Sequence, residues 1–171
     1  TVGAATQGLA NYLLDAFREE PRISVAIGHD VRHNSRKFAE LAADIFSANG
    51  IKVYLFDACC PTPEVSFAIR HLGCQSGVMV TASHNPKEYN IEYVNAITSV
   101  DQIKFTPRRE LIQVIGKDVD DAFLKAILGL QMDREACLRH HDMKIVYTPI
   151  HGTGSRLMFD SLKMWGFDNV I

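Results

Sequence analysis

The chain predicts a layered α/β fold with a largely parallel sheet, and three observations carry that prediction. Short apolar runs rich in β-branched residues, at Ile23 to Ile27, Ile51 to Phe56 and Ser76 to Thr81, have the length of strands. Between them lie stretches of about ten to fifteen residues whose apolar positions follow the helical period. Strand, helix, strand, helix, strand is the order that βαβ units require, and parallel strands need crossovers of that length.

In chain order, Leu9, Tyr12, Leu13 and Phe17 predict an amphipathic helix over Thr6 to Arg18, ended by Pro21. After the first strand, Gly28-His29-Asp30 opens a loop, and Asn34 or Ser35 is the expected cap of a second helix. Phe38, Leu41, Ala42, Ile45 and Phe46 trace its predicted apolar face, and Asn49-Gly50 is its stop signal. Pro61-Thr62-Pro63 starts a third helix carrying Val65, Ile69 and Leu72, with Gly73 after it. Further along, a short helix is expected over Ile91 to Ile97 and a strand over Glu110 to Ile115. Asp118 to Leu130 reads as a helix and Lys144 to Tyr147 as a strand. Ser155 to Trp165 reads as a helix, and Asn169 to Ile171 as the start of another strand. A boundary between two α/β units is expected between Gly116 and Met143.

Composition narrows the function classes. At 171 residues, 47% hydrophobic and 22% charged, the chain has material for a real core. A net charge of -2 gives no reason to expect nucleic acid or an acidic membrane as partner. No apolar run approaches the length of a bilayer span, and Thr1 to Leu14 shows no signal-peptide pattern. The spacings of Cys59, Cys60, Cys74 and Cys137 match no metal motif and predict reduced thiols in a cytoplasmic protein. Arg139-His140-His141 lacks chelating spacing, and no Gly-x-Gly-x-x-Gly follows a strand.

The richest stretch is Thr81-Ala82-Ser83-His84-Asn85-Pro86, which follows the apolar run Gly77 to Val80. Pro86 fixes its own φ and drives Asn85 towards an extended conformation, so the turn has few backbone choices. A serine held in a rigid loop at a strand's end suits covalent chemistry, since a nucleophile must be positioned; a plain polar turn is the alternative. In open α/β sheets, functional groups gather at the carboxyl ends of strands, where Asp30, Arg32 and Ser83 are expected to converge.

Thr81 to Asn90, TASHNPKEYN, resembles the phosphoserine loop of the α-D-phosphohexomutases, the phosphoglucomutase/phosphomannomutase superfamily. Three other stretches resemble the same family in the same order: Ala26 to Arg32 with Asn34-Ser35-Arg36, Pro61-Thr62-Pro63, and Tyr147 to Gly154. The resemblance implies a three-layer α/β/α domain I over residues 1–117. Residues 118–171 would begin a second, similar domain and stop short of the family's metal loop. It implies that Ser83 carries a phosphate and passes it to a hexose phosphate, giving a sugar 1,6-bisphosphate that returns its other phosphoryl group to the serine. Phosphoglucomutase is the expected activity, while the residues that read the sugar lie in segments not present, so glucose, mannose, pentose and amino-sugar phosphates all stay open. Mg²⁺ would bind through the Ser83 phosphate, a hard oxygen ligand. His84 is the candidate for proton handling or phosphate binding. Arg32, Asn85 and Lys87 are the candidate loop supports, with Arg36 weighed as a solvated helix start. His151-Gly152-Thr153-Gly154 is a weak anion signal.

The chain also departs from the family. No aspartate-rich Asp-Gly-Asp-x-Asp-Arg motif is present, nor the family's N-terminal Gly-Thr-x-Gly-x-Arg. Tyr93 stands where the family has a lysine thought to act as general acid/base. Ile91 onward resembles a family segment that normally lies further along, so a stretch is skipped after Asn90, either by deletion or as a loop left out of the sequence; the latter is favoured beside an active site. Taken alone, the chain is expected to be inactive as a mutase. A serine-dependent phosphatase and a non-catalytic sugar-phosphate-binding module are the rival readings.

Overall fold

A computed structural model describes residues 1–82 and 91–171. Ser83, His84, Asn85 and Lys87 therefore lie outside the described residues. The chain divides into two compact units, Thr1–Ile115 and Gly116–Ile171.

The first unit is built on four parallel strands, β1 (Ser24–His29), β2 (Lys52–Phe56), β3 (Ser76–Val80) and β4 (Ile112–Ile115), in the spatial order β3-β1-β2-β4. All six residues of β1 are buried, as a strand with a neighbour on each side and helices over each face must be. Its register sets Ile27 beside Leu55 on β2 and Val78 on β3.

Helices α1 (Val2–Ala16) and α2 (Ser35–Ala48) cover one face. Val25, Ile27 and Val53 meet Ala10 and Leu13 of α1 and Ala39, Ala42, Ala43 and Phe46 of α2 there. Because side chains alternate along a strand, Gly28 faces the opposite way. A Cβ on Gly28 would lie 2.5 Å from Cys60 Sγ and Val65 Cγ2, and one on Gly77 would lie 2.4 Å from Ile69 Cδ1. Helix α3 (Thr62–His71) thus packs against bare backbone on the second face, which completes the three layers.

The predicted face of α2 needs one correction. Phe38 is 41% exposed, and the buried stripe is Ala39, Ala42, Ala43, Ile45 and Phe46. Position 39 stands in the row of 42, 43 and 46, and small alanines there let the helix approach the sheet, while position 38 is about 100° away around the axis. Asn34 is the cap residue, one of the two expected, but it does not cap through its side chain. It adopts a left-handed conformation (φ 69°), and its carbonyl accepts from the Phe38 N–H instead. After β3, helix α4 (Ile91–Asn95) precedes a turn and a strand shorter than expected, since Arg109–Leu111 is 3₁₀-helical.

The second unit holds α5 (Lys117–Leu128), α6 (Arg134–Arg139) and α7 (Met158–Met164). The two expected strands reduce to a single parallel bridge, Ile145 to Val170. The helix expected from Ser155 starts only at Met158, where Leu157 has taken the cap position.

Candidate functional site

The site is built where β1 and β3 end side by side. His29 pairs in register with Val80, and the Asp30 N–H donates to the Val80 carbonyl at 3.1 Å. The chain leaving β1 is therefore tied to the chain leaving β3, one residue before Thr81.

Asp30 is the hub of this edge. Its Oδ1 accepts from the Arg32 N–H at 3.0 Å and from the Ser35 hydroxyl at 2.6 Å. Its Oδ2 accepts from the Thr81 hydroxyl at 3.0 Å and lies 3.3 Å from Arg32 Nη1. The same guanidinium nitrogen donates to Thr81 Oγ1 at 3.4 Å and to the Ala82 carbonyl at 3.3 Å. Asp30 and Arg32 thus hold the two residues that precede Ser83 by side chain and by main chain. The Asp30 side chain is only 11% exposed, whereas Arg32 is 54% exposed and presents its remaining donors to solvent. Burial pushes the Asp30 carboxyl up. The hydrogen bonds from Ser35, the Arg32 N–H and Thr81, with the Arg32 charge, outweigh it and hold the group below its ordinary value.

Beneath Asp30 lies His29, 6% exposed, with Nδ1 2.9 Å from the Asp30 carbonyl. A carbonyl only accepts, so Nδ1 is the donor of this contact. The Nε2 of the ring is buried and has no hydrogen-bond partner among the described residues.

The other residues singled out from the sequence fall into place individually. Arg36 donates from Nη1 to the Asp57 carbonyl at 2.8 Å and pairs with Glu40 at 2.9 Å, so it ties α2 to the turn after β2. Tyr93 is engaged on α1, its hydroxyl donating to Asp15 Oδ2 at 3.0 Å and its ring edge-on to Tyr12. His141 meets Asp168 at 3.1 Å. Among the described residues, no group of three or more His, Cys, Asp and Glu side chains is placed to hold a metal ion. His151-Gly152 is exposed and follows Ile150, which has a φ of 50°.

Two acidic residues carry more than their sequence context signals. Asp30 is expected at the edge but not as its organiser; an aspartate two residues before an arginine at a strand end is the available signal. Glu64, in the first turn of α3, is wholly buried, and nothing in its helical period distinguishes it from a solvated acid favoured by the helix N-terminus.

A family model described as "Phosphoglucomutase/phosphomannomutase, alpha/beta/alpha domain I" matches residues 1–110. The chain belongs to this family. A Staphylococcus haemolyticus phosphoglucomutase is 34% identical over 99% of this chain and 34% of its own length. A Schizosaccharomyces pombe protein provisionally named a phosphoribomutase is 34% identical over 97% of this chain and 32% of its own. The chain spans about a third of the length of these curated relatives. The first alignment runs over 190 residues against a chain of 171, so that relative carries residues inside the aligned stretch that this chain does not. Among solved structures, a phosphoglucomutase/phosphomannomutase family protein from Burkholderia thailandensis superposes with a TM-score of 0.65 at 18% identity, covering 99% of this chain and 39% of its own. A Thermus thermophilus protein, provisionally named a phosphomannomutase, reaches 0.74 at 24% identity and covers 99% of this chain and 40% of its own. These two likenesses establish the fold, and the mutase names of the relatives place the chain in a phosphosugar mutase family. No helix among the described residues is long and apolar enough to cross a membrane.

Proposed function

We propose that this chain supplies the phosphoserine domain of a cytoplasmic phosphosugar mutase, with Ser83 as the residue that carries the phosphoryl group. The observation that supports it most is the Asp30–Arg32 clamp on Thr81 and Ala82, which holds the chain immediately before the serine. Phosphoryl transfer passes through a loose transition state, so positioning and charge neutralisation supply most of its acceleration.

In the forward step, the phosphorus–oxygen bond to Ser83 breaks as a sugar hydroxyl forms the new bond to phosphorus. The hydroxyl proton leaves to a base and the serine oxygen regains a proton; His84 is our candidate for that exchange. The product is a sugar 1,6-bisphosphate, which returns its other phosphoryl group to Ser83. Arg32 neutralises negative charge beside the serine with the donors it does not spend on Thr81 and Ala82, and we assign Asn85 and Lys87 to loop support. Mg²⁺ bound to the serine phosphate would add charge neutralisation. The Asp30 carboxylate is taken up by hydrogen bonds, so we assign the Mg²⁺ contact to the Ser83 phosphate rather than to Asp30.

A hexose phosphate, with glucose phosphate first, is the substrate we favour because the Staphylococcus haemolyticus relative is a phosphoglucomutase. The Schizosaccharomyces pombe relative keeps a pentose phosphate as the competitor. A non-catalytic sugar-phosphate-binding module is the second reading. It is favoured by Tyr93, whose hydroxyl is committed to Asp15 where the family would place a lysine.

Ser83→Ala in the complete protein is expected to lower mutase turnover at least about a thousandfold, as loss of a covalent nucleophile does. Unchanged turnover would overturn the proposal. The 171-residue chain alone is expected to show no turnover of glucose 1-phosphate.

A further inference from the structure

We infer that His29 is the positioning residue of the Asp30–Arg32 clamp, setting from beneath the direction in which the chain leaves β1; this rests on the mutase reading above. Alternation along β1 puts Val25, Ile27 and His29 on one face of the sheet. Val25 and Ile27 lie in the core that α1 and α2 cover, and His29 ends their row, only 6% exposed. A polar ring at the end of an apolar row calls for a reason other than hydrophobicity, because its burial costs free energy unless its nitrogens are bonded. Here one nitrogen is bonded and the other is not. Nδ1 donates to the Asp30 carbonyl at 2.9 Å, whereas Nε2 has no hydrogen-bond partner among the described residues. The working atom of the ring is therefore Nδ1.

Its bond falls on the peptide plane that decides where Arg32 goes. The Asp30 N–H donates to the Val80 carbonyl at 3.1 Å, which ties the plane before Asp30 to β3. The Asp30 carbonyl belongs to the next plane, the one shared with Val31, and the His29 ring holds it. With a planar peptide fixed on each side, the two backbone dihedrals of Asp30 are set. That setting lets the Asp30 carboxylate accept the Arg32 N–H at 3.0 Å, closing a turn between side chain and main chain two residues apart.

The turn brings the Arg32 guanidinium to Thr81 Oγ1 at 3.4 Å and to the Ala82 carbonyl at 3.3 Å. Both distances stand at the long end of hydrogen bonding, so a small rotation of the Asp30–Val31 plane loses them. His29 also offers its own carbonyl to the Cys60 N–H at 3.1 Å, which joins this edge to the segment that opens α3. One residue thus holds the clamp by its ring and the neighbouring segment by its main chain.

Two substitutions separate positioning from packing. His29→Asn keeps a donor on the atom bonded to Cγ, where Nδ1 sits, and discards the rest of the ring. His29→Phe keeps a ring and discards the donor. A space-filling role makes Asn the damaging change; a positioning role makes it Phe. The readout is phosphoryl transfer from hexose 1,6-bisphosphate to the dephosphorylated complete protein, followed by intact mass against time at saturating donor. His29→Phe is expected to slow labelling about tenfold, and His29→Asn to recover the rate to within about threefold of the parent while melting at a lower temperature. His29→Gln, which moves the same amide one bond further out, is expected to be as slow as His29→Phe, and it keeps the test decisive if the latter does not fold. Thr81→Val removes the hydroxyl bond to Asp30, and in that background His29→Phe is expected to slow labelling by less than about threefold, since both act through one network. A parental rate in His29→Phe, a slower rate in His29→Asn than in His29→Phe, or losses that multiply in full in the double variant would overturn the inference. An unlabelled parent protein would instead overturn the mutase reading itself, and the role of His29 with it.

Discussion

The two units of this chain differ in how far their side chains are used. In Thr1–Ile115, a four-stranded sheet is covered on both faces and its central strand is buried throughout. In Gly116–Ile171, the large apolar residues Leu130, Met132, Val146 and Ile150 are 74% or more exposed, and the regular sheet is one bridge. Burial of apolar area is the main source of stability. The first unit therefore carries most of the folding free energy, and it is also the unit whose strand ends hold a polar network rigid. Rigidity at the carboxyl edge is a product of that core, because the Asp30 hub is only as fixed as β1 and β3 beneath it.

The largest effect should come from emptying the core. Phe46→Ala, at a fully buried position between α2 and the sheet, should cost about 3–5 kcal/mol, whereas Met132→Ala in the second unit should change stability by less than about 0.5 kcal/mol. Chemical denaturation of the two variants checks this, and comparable losses would break the contrast. Gly28→Ala should cost about 1–3 kcal/mol, because its methyl group would sit 2.5 Å from Cys60 Sγ and Val65 Cγ2 and force α3 outward. Asp30→Asn should cost about 1–3 kcal/mol through its hydrogen bonds to Arg32, Ser35 and Thr81. Its pH dependence has a definite sign. A carboxyl held below its ordinary value stabilises the fold above the unfolded-state value and loses that contribution as pH falls through the lowered one. The gap between Asp30→Asn and the parent should therefore be widest near neutrality and close in acid, as thermal melts across pH will show. A gap that widens in acid would refute the account of the hub.

The first unit was legible in the sequence because its signals are local and redundant. Ile23 to Ile27 and Ile51 to Phe56 are β-branched runs, and Asn49-Gly50 stops α2 as expected, with Gly50 at a φ of 84°. Phe38 misled because periodicity cannot tell which of two adjacent rows faces the sheet, and small alanines at 39, 42 and 43 decided it by allowing close approach. Strands expected at Lys144 to Tyr147 and Asn169 to Ile171 shrank to a bridge, since a strand needs partners as well as propensity. Arg32 was recognisable as a candidate from its place after a strand, and the structure sets it against Thr81 and Ala82. Asp30 as organiser depends on a contact between residues 51 positions apart, which no local pattern encodes.

Intact mass and peptide mapping of the complete protein, after incubation with hexose 1,6-bisphosphate, tests the central claim most directly. The account predicts one added phosphoryl group, mapped to Ser83 and absent from Ser83→Ala. An unmodified protein, or a phosphoryl group on any other residue, would contradict it.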